Sequence, residues 1–185
     1  MKKFTVLFLI FMTISTVSSA NDSRNPKWAT KVDNILMDNM YLIDDGVYRS
    51  EQPSAKDFNV LKDFGILEVL NLRNYHNDED EASGTNMTLH HVRMAAHRII
   101  TKNIIKSLQI IKNRKGSILI HCRHGSDRTG VVVAMYRIVF QNWSKEDAID
   151  ELKNGEYGYH RIYINIIRFI NNADIEAIKK EIEML

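Results

Sequence analysis

The chain predicts one α/β domain with a central, mostly parallel sheet of four or five strands flanked by helices. Short apolar, β-branched runs alternate with longer segments of helical period, the pattern of a layered α/β fold. Gly and Asx turn signals separate them, and there is no internal repeat or low-complexity tract. Once a removable leader is set aside, the length suits a single core.

The leader is residues 1–20. Lys2 and Lys3 precede an apolar stretch from Phe4 to Val17, which is shorter than the roughly 20 residues a membrane span needs. Ser18-Ser19-Ala20 then offers small residues for cleavage. An uncleaved anchor is the alternative, and no other segment is apolar enough to span a bilayer. Cleavage leaves 165 residues and lowers the net charge from +2 to 0. The mature chain is thus expected in the periplasm or secreted, without stable membrane insertion. Its overall charge gives no reason to expect nucleic acid.

Residues 21–40 are expected to be an N-terminal leader followed by a short helix from Trp28 to Met40, and residues 41–185 form the domain. Tyr41–Ile43 and Val47–Arg49, joined by Asp44-Asp45-Gly46, predict a hairpin. Ser54-Ala55-Lys56-Asp57 is a capping box opening a helix that Gly65 ends. Ile66–Leu72 is a core strand, Asn74–Asn86 an acidic loop, and Thr88–Met94 a strand. Thr101 is expected to cap a helix reaching Arg114, with Gly116 ending it. Ser117–Ile120 is a buried strand and Val131–Phe140 a buried helix. Ser144 caps a helix to Asn154, and Arg161–Met184 is helical with a break near Asn171-Asn172.

Between the Ser117 strand and the Val131 helix lies His121-Cys122-Arg123-His124-Gly125-Ser126-Asp127-Arg128-Thr129-Gly130. Such a loop, feeding a helix N-terminus, turns its backbone N–H groups toward an anion. The amides of Arg123 to Arg128, including those of His124, Gly125, Ser126 and Asp127, would bind phosphate oxygens. The Arg128 guanidinium would add a fork matched to two of them. Cys122 would be the nucleophile. A thiol beside cations at a helix N-terminus titrates at roughly 3.5–7.5, so Cys122 is expected as a thiolate at neutral pH. Thr129 is placed to donate to it, and His121 to brace the loop. A structural buried cysteine is the plainer reading, but the Gly and Arg-Thr-Gly spacing argues against it. Sulfurtransferase loops are typically one residue shorter; five residues between Cys122 and Arg128 favour phosphate.

This stretch resembles the signature of cysteine-dependent protein tyrosine and dual-specificity phosphatases. Val47–Ser54 and Gly65–Arg73 resemble the entry segments of the small atypical dual-specificity branch, which includes fungal and plant inositol pyrophosphate phosphatases. Val139–Lys145 and Gly155–His160 resemble its bacterial periplasmic members. The resemblance runs from about Tyr41 to Ile170. It implies Cys122 as the phosphocysteine nucleophile and Arg128 as the phosphate-binding arginine, without a cofactor or metal. It further implies a substrate that is a phosphorylated protein or a polyanionic phosphate small molecule.

The family carries an aspartate before the cysteine that protonates the leaving oxygen. Here no Asp or Glu occurs from Ala82 through Ser126. A positioned general acid contributes about 10²–10⁴-fold. Asp127 within the loop could serve, or could pair outward as a structural group. His97 is a second candidate, and a phosphoanhydride leaving group would need no acid. The acids at Asp78–Glu81 lie farther upstream and read as a solvated loop, although loop folding could still bring one of them in. The acid-free interval holds eight Lys or Arg and five of the seven histidines, which favours a polyanion. Arg123 and His124 are placed to meet a second phosphate, whereas Lys102, Lys106, Lys112 and Arg114 read as a solvated helix face. Arg49 is expected to pin a loop, Arg73 is open between substrate and structure, and Trp143 is expected to pack at a helix junction. The lone cysteine excludes an internal disulfide, and the histidine spacing shows no zinc pattern. A monomeric enzyme is expected; a catalytically weak phosphate-binding module is the rival of another class.

Overall fold

Hydrophobic alternation in the strands and stripes on the helices fix a sheet with helices on both faces. The computed structural model describes residues 24–35 and 37–184; the expected signal segment 1–20 lies outside them. The elements are β1 (Thr30–Lys31), β2 (Tyr41–Asp44), β3 (Val47–Ser50), α1 (Ala55–Phe64), β4 (Ile66–Asn71), β5 (Thr88–His91), α2 (Thr101–Lys112), β6 (Ser117–His121), α3 (Asp127–Gln141), α4 (Lys145–Asn154), α5 (Ile164–Asn172) and α6 (Ile175–Glu183), with a 3-10 turn at Arg161–Tyr163 before α5.

The six strands lie in the order β1-β2-β3-β6-β4-β5. β1, β2 and β3 pair antiparallel; β3, β6, β4 and β5 run parallel. The sheet is therefore mixed and one or two strands larger than expected. Ser50, His121 and Asn71 sit level at the ends of β3, β6 and β4. Ligands of open α/β sheets bind beyond such carboxyl ends.

Successive residues of one strand face opposite layers. Leu70, Ile118 and Ile120 join the core under α2, α3, α5 and α6, while Val69 and Leu119 join Phe58 and Leu61 of α1 on the other face. α3 is the axis of the first layer. It is buried from Thr129 to Val139 and contacts α2, α4, α5 and α6. At Gly130 a Cβ would come within 2.3 Å of Leu152 Cδ1, so a larger residue would require the Leu152 side chain of α4 to turn aside.

Local signals explain most boundaries. Ser54 and Asp57 form the reciprocal capping box of α1, and Gly65 ends it with φ of 99°. Gly46 turns the β2–β3 hairpin at φ of 67°. Ser144 caps α4. The final helical stretch breaks at Ala173, where Asp174 caps α6.

Three expectations need correction. Among its described residues, Trp28–Met40 has no helix: β1 pairs with β2, and turns around Asp33-Asn34 and Asp38-Asn39, the latter with Asn39 at φ of 59°, suit Asx residues better than a helix. Thr101 is the first residue of α2, not its cap, and Ile100 in the cap position donates no side-chain bond. β5 stops at His91, although Val92 N still donates to Asn71 O at 3.0 Å.

A buried ion pair ties the N-terminal segment to the helices. Arg137 on α3 donates from Nε and Nη2 to Glu151 of α4, both at 2.9 Å. Glu151 also accepts from Ala29 N at 2.7 Å and Tyr157 Oη at 3.1 Å. Trp143 lies half-buried against the Arg137 guanidinium, 4.4 Å from ring centre, at the expected helix junction. Arg24 donates to Gly155 O, Ala29 O and Tyr157 Oη, so the segment before β1 packs on the domain.

Candidate active site

The loop from Cys122 to Asp127 joins the end of β6 to α3, and its neighbours turn its carbonyls outward. Arg123 O accepts from Gln52 N at 3.3 Å. His124 O accepts from Asn39 Nδ2 at 2.8 Å and from Ser126 Oγ at 3.2 Å. Gly125 O accepts from Arg49 Nη2 at 2.6 Å. With three consecutive carbonyls held from outside, the amide edge is left for an anion. Gly125 has φ of 68°, and a Cβ there would lie 2.5 Å from Ser50 O. No other residue fits between the loop and β3.

Arg49 carries out the pinning expected of it. It is fully buried, with its guanidinium 3.6 Å from the ring centre of Tyr157. Burial pushes it below the ordinary arginine value, against the opposing pull of Tyr157, Glu151 and Cys122. Tyr157 is in turn bonded to Arg24 and Glu151. Tyr157 thus packs beneath the loop, against the arginine that holds Gly125.

Cys122 is a free, buried cysteine. Two polar atoms of the same loop are buried without a partner: Arg128 Nε and Thr129 Oγ1. Buried polar groups are rarely left unsatisfied, so these two mark a place for a missing acceptor. Arg128 opens onto a cavity of about 310 Å³ lined by Arg73, His76, Ala95, Ala96, His97, Arg123 and Tyr163 among others. Its lining contains three arginines and two histidines but no acid. Arg123, Arg128, Arg73 and His97 are thus brought together; His124 and Asp127 do not line this cavity.

Asp127 faces away from it. Its Oδ1 accepts from His160 N at 2.9 Å, and its Oδ2 lies 2.8 Å from His160 Nδ1. This bonding joins the start of α3 to the segment after α4. His124 packs beside His160, with ring centres 5.6 Å apart. Burial and then the charges of Arg123 and His160 hold His124 below the ordinary histidine value.

Asp78 is the residue sequence reasoning placed wrongly. It is not solvated but buried, with Oδ2 2.8 Å from His121 Nε2 and Oδ1 accepting from Gln52 Nε2 at 2.9 Å. Burial acts to raise its pKa; the hydrogen bond and charge of His121, then Gln52 and Asn71, overcome this and hold it below the ordinary carboxylate value. Gln52 Oε1 accepts from Arg73 Nη1 at 3.0 Å. His121, which is wholly buried, also places Nδ1 3.2 Å from Cys122 O. Nothing in a run of four acids signals that one of them turns inward. Asn39 and Gln52 were likewise invisible as loop supports, since they act from distant segments.

His76, Asp78 and Glu81 bring ligand atoms within 4.8 Å of one another. Both Asp78 oxygens are already engaged, and His76 Nε2 lies 3.0 Å from Glu81. Asp78 is therefore committed to His121 and Gln52, while His76 Nε2, though close to Glu81, makes no hydrogen bond.

The tyrosine phosphatase family model matches residues 34–184. The dual specificity protein phosphatase TpbA of Pseudomonas aeruginosa strain UCBPP-PA14 is 30% identical over 160 residues, covering 84% of this chain and 71% of that protein. Inositol diphosphatase DSP3 of Arabidopsis thaliana is 25% identical over 152 residues, 77% of this chain and 73% of its own. Among solved structures, P. aeruginosa TpbA in complex with phosphotyrosine superposes with a TM-score of 0.77 at 27% identity, covering 87% of this chain and 99% of that one. The catalytic core of the PP-IP phosphatase SIW14 of S. cerevisiae gives 0.69 at 27% identity, covering 81% and 94%.

Proposed function

The chain belongs to the tyrosine phosphatase family, and from that premise we propose that it hydrolyses phosphomonoesters of phosphotyrosine, phosphoserine or phosphothreonine protein through a phosphocysteine intermediate. The observation that carries this is the buried Cys122 beneath a loop whose carbonyls are tied outward, beside unpartnered Arg128 Nε and Thr129 Oγ1. The Cys122 thiolate attacks phosphorus, an S–P bond forms, and the P–O bond breaks with its electron pair leaving on oxygen. The loop amides and Arg128 hold the equatorial oxygens as charge builds on them. Water then attacks phosphorus, releasing inorganic phosphate and restoring the thiolate. The Thr129 hydroxyl, which has no partner in the free protein, is available to the reacting groups, His121 braces the loop through the Cys122 carbonyl, and Arg123 lines the cavity mouth.

Asp127 is best supported as a positioning group, since His160 occupies both its oxygens. His97 on the cavity wall is the other candidate acid. A leaving-group series separates the two. If Asp127→Asn slows phosphates of poor leaving groups and spares good ones, Asp127 is the acid; equal slowing supports the positioning role. The same contrast for His97→Gln tests His97.

A second reading is favoured by the acid-free cavity: an inositol polyphosphate, inositol pyrophosphate or phosphoinositide as substrate. Arg73, His76, His97 and Arg123 beside Arg128 suit several phosphates, and a phosphoanhydride leaves without a proton. The TpbA and SIW14 likenesses point to these two substrate classes respectively. A panel of phosphotyrosine peptides, inositol phosphates and phosphoinositides, run in EDTA, tests both. Turnover by Cys122→Ser, or a strict need for divalent metal, overturns the scheme. With an activated aryl phosphate, binding without a burst of aryl alcohol and without turnover would instead indicate a phosphate-binding module.

The reading extends to an exported, monomeric protein. Its support is the basic, apolar, small-residue order of residues 1–20 and the absence, among the described residues, of a helix long and apolar enough to cross a membrane. N-terminal sequencing of the fractionated protein, with Asn21 expected first, tests export and cleavage.

A further inference from the structure

His121 has acceptors on both sides. Nε2 faces a carboxylate oxygen of Asp78 and Nδ1 faces the Cys122 carbonyl. A neutral imidazole has one N–H and would leave one of these contacts without a proton; only the doubly protonated ring donates to both. The ring is wholly buried, so a contact left without a proton would be costly.

We propose that Asp78 is a positioning residue that keeps His121 doubly protonated beside the Cys122 thiolate, and that Gln52 joins this pair to Arg73 on the cavity wall. Nothing in the sequence signature contains Asp78, which comes from the acidic loop between β4 and β5. The chain of contacts is continuous: Arg73 Nη1 donates to Gln52 Oε1, Gln52 Nε2 donates to Asp78 Oδ1, and Asp78 Oδ2 holds His121. Asp78 is held in its ionised form by these donors, so it accepts from the ring instead of donating to it. The other titratable groups beside Asp78 are His76 and Glu81, and Cys122 follows His121 directly in the chain. The sheet neighbours of His121, Ser50 on β3 and Asn71 on β4, are uncharged. An anion bound at Arg73 is thereby connected to the residue that precedes the nucleophile.

The proposal rests on Cys122 being the nucleophile, and its sign is diagnostic. Removing the Asp78 charge alone would favour the thiolate, because a nearby negative charge has gone. Removing the proton it holds on His121 would disfavour the thiolate, because the closer positive charge has gone. The test is the pH profile of Cys122 alkylation by iodoacetamide, with no substrate present, in the native protein and in Asp78→Asn and Asp78→Glu. The expected result is an upward move of the midpoint in D78N by about one pH unit, a roughly tenfold loss of rate below it, with recovery in D78E. A midpoint that stays or moves down in folded D78N overturns the proposal.

Should D78N fail to fold, ring-nitrogen NMR of the native protein decides, with His121 assigned through the preparation lacking it. Both ring nitrogens protonated at pH 7 supports the proposal, and a single-proton tautomer overturns it. Neither measurement uses a substrate. Failure of the phosphatase reading would appear separately, as turnover by C122S.

Discussion

Replacing Gly125 with alanine should damage stability and turnover together, by amounts the geometry sets. The residue has φ of 68°, and a left-handed backbone costs a residue with a Cβ about 1–2 kcal/mol. The new Cβ would lie 2.5 Å from Ser50 O, 2.6 Å from Ser50 C and 2.8 Å from Glu51 N. All three are backbone atoms of the β3 end, so no side chain can swing aside. Relief to an ordinary contact needs a shift of about 1 Å. That shift stretches the 2.6 Å bond from Arg49 to Gly125 O beyond hydrogen-bonding range. Losing a bond to a buried charged group costs about 1.5–3 kcal/mol. The sum is roughly 3–5 kcal/mol, or a drop in Tm of about 10 °C for a chain of this length. A 1 Å displacement of groups that position a reacting centre costs about 10²-fold in rate. Thermal melting and kcat/KM on p-nitrophenyl phosphate read both effects. A G125A protein within 2–3 °C of the native Tm and about threefold of its activity would refute the close-approach argument.

Three further outcomes follow from other residues. Thr129→Val removes a buried hydroxyl that has no partner; it should leave Tm unchanged or higher while slowing turnover about tenfold or more, and near-native turnover would count against a role for that hydroxyl in the reaction. Glu151→Ala leaves Arg137 buried and unpaired, which should cost about 3–5 kcal/mol in denaturant unfolding; a loss under 1 kcal/mol would show that solvent reaches the pair. Asp78 is held below its ordinary value of 3.8, so the stability it confers is complete above that pH and is lost as pH falls through the lower folded value; the decline of Tm below about pH 4 should therefore be shallower in D78N, and an equal decline would assign it to other carboxylates.

Local chemistry made much of this molecule readable from sequence. Ser54-Asp57, Gly65, Asp45-Gly46 and Ser144 each act over a few residues, and the structure uses each as read. The Cys122-to-Arg128 loop was legible because its spacing and its flanking strand and helix are contiguous. What escaped depends on distant partners. β1 is two residues long and exists because β2 pairs with it, so no periodicity announces it. Asp78 looks like its acidic neighbours until the loop folds it against His121 across 43 positions. Asp127 was open between two roles, and its bonding to His160, 33 positions away, supplies the physical reason to favour one.

The Arg24 cluster bears on where this domain can be cut. Family similarity begins at residue 34, and the hairpin suggests a start near Tyr41. Yet Arg24 binds Tyr157 Oη, Ala29 N binds Glu151, and Tyr157 stacks on the arginine that holds Gly125. A chain shortened to either apparent boundary would lose the outermost brace of its own phosphate loop. Residues 24–33, ahead of the family model, thus act as a strap, and a fusion or tag belongs ahead of Arg24 or at the far end of α6.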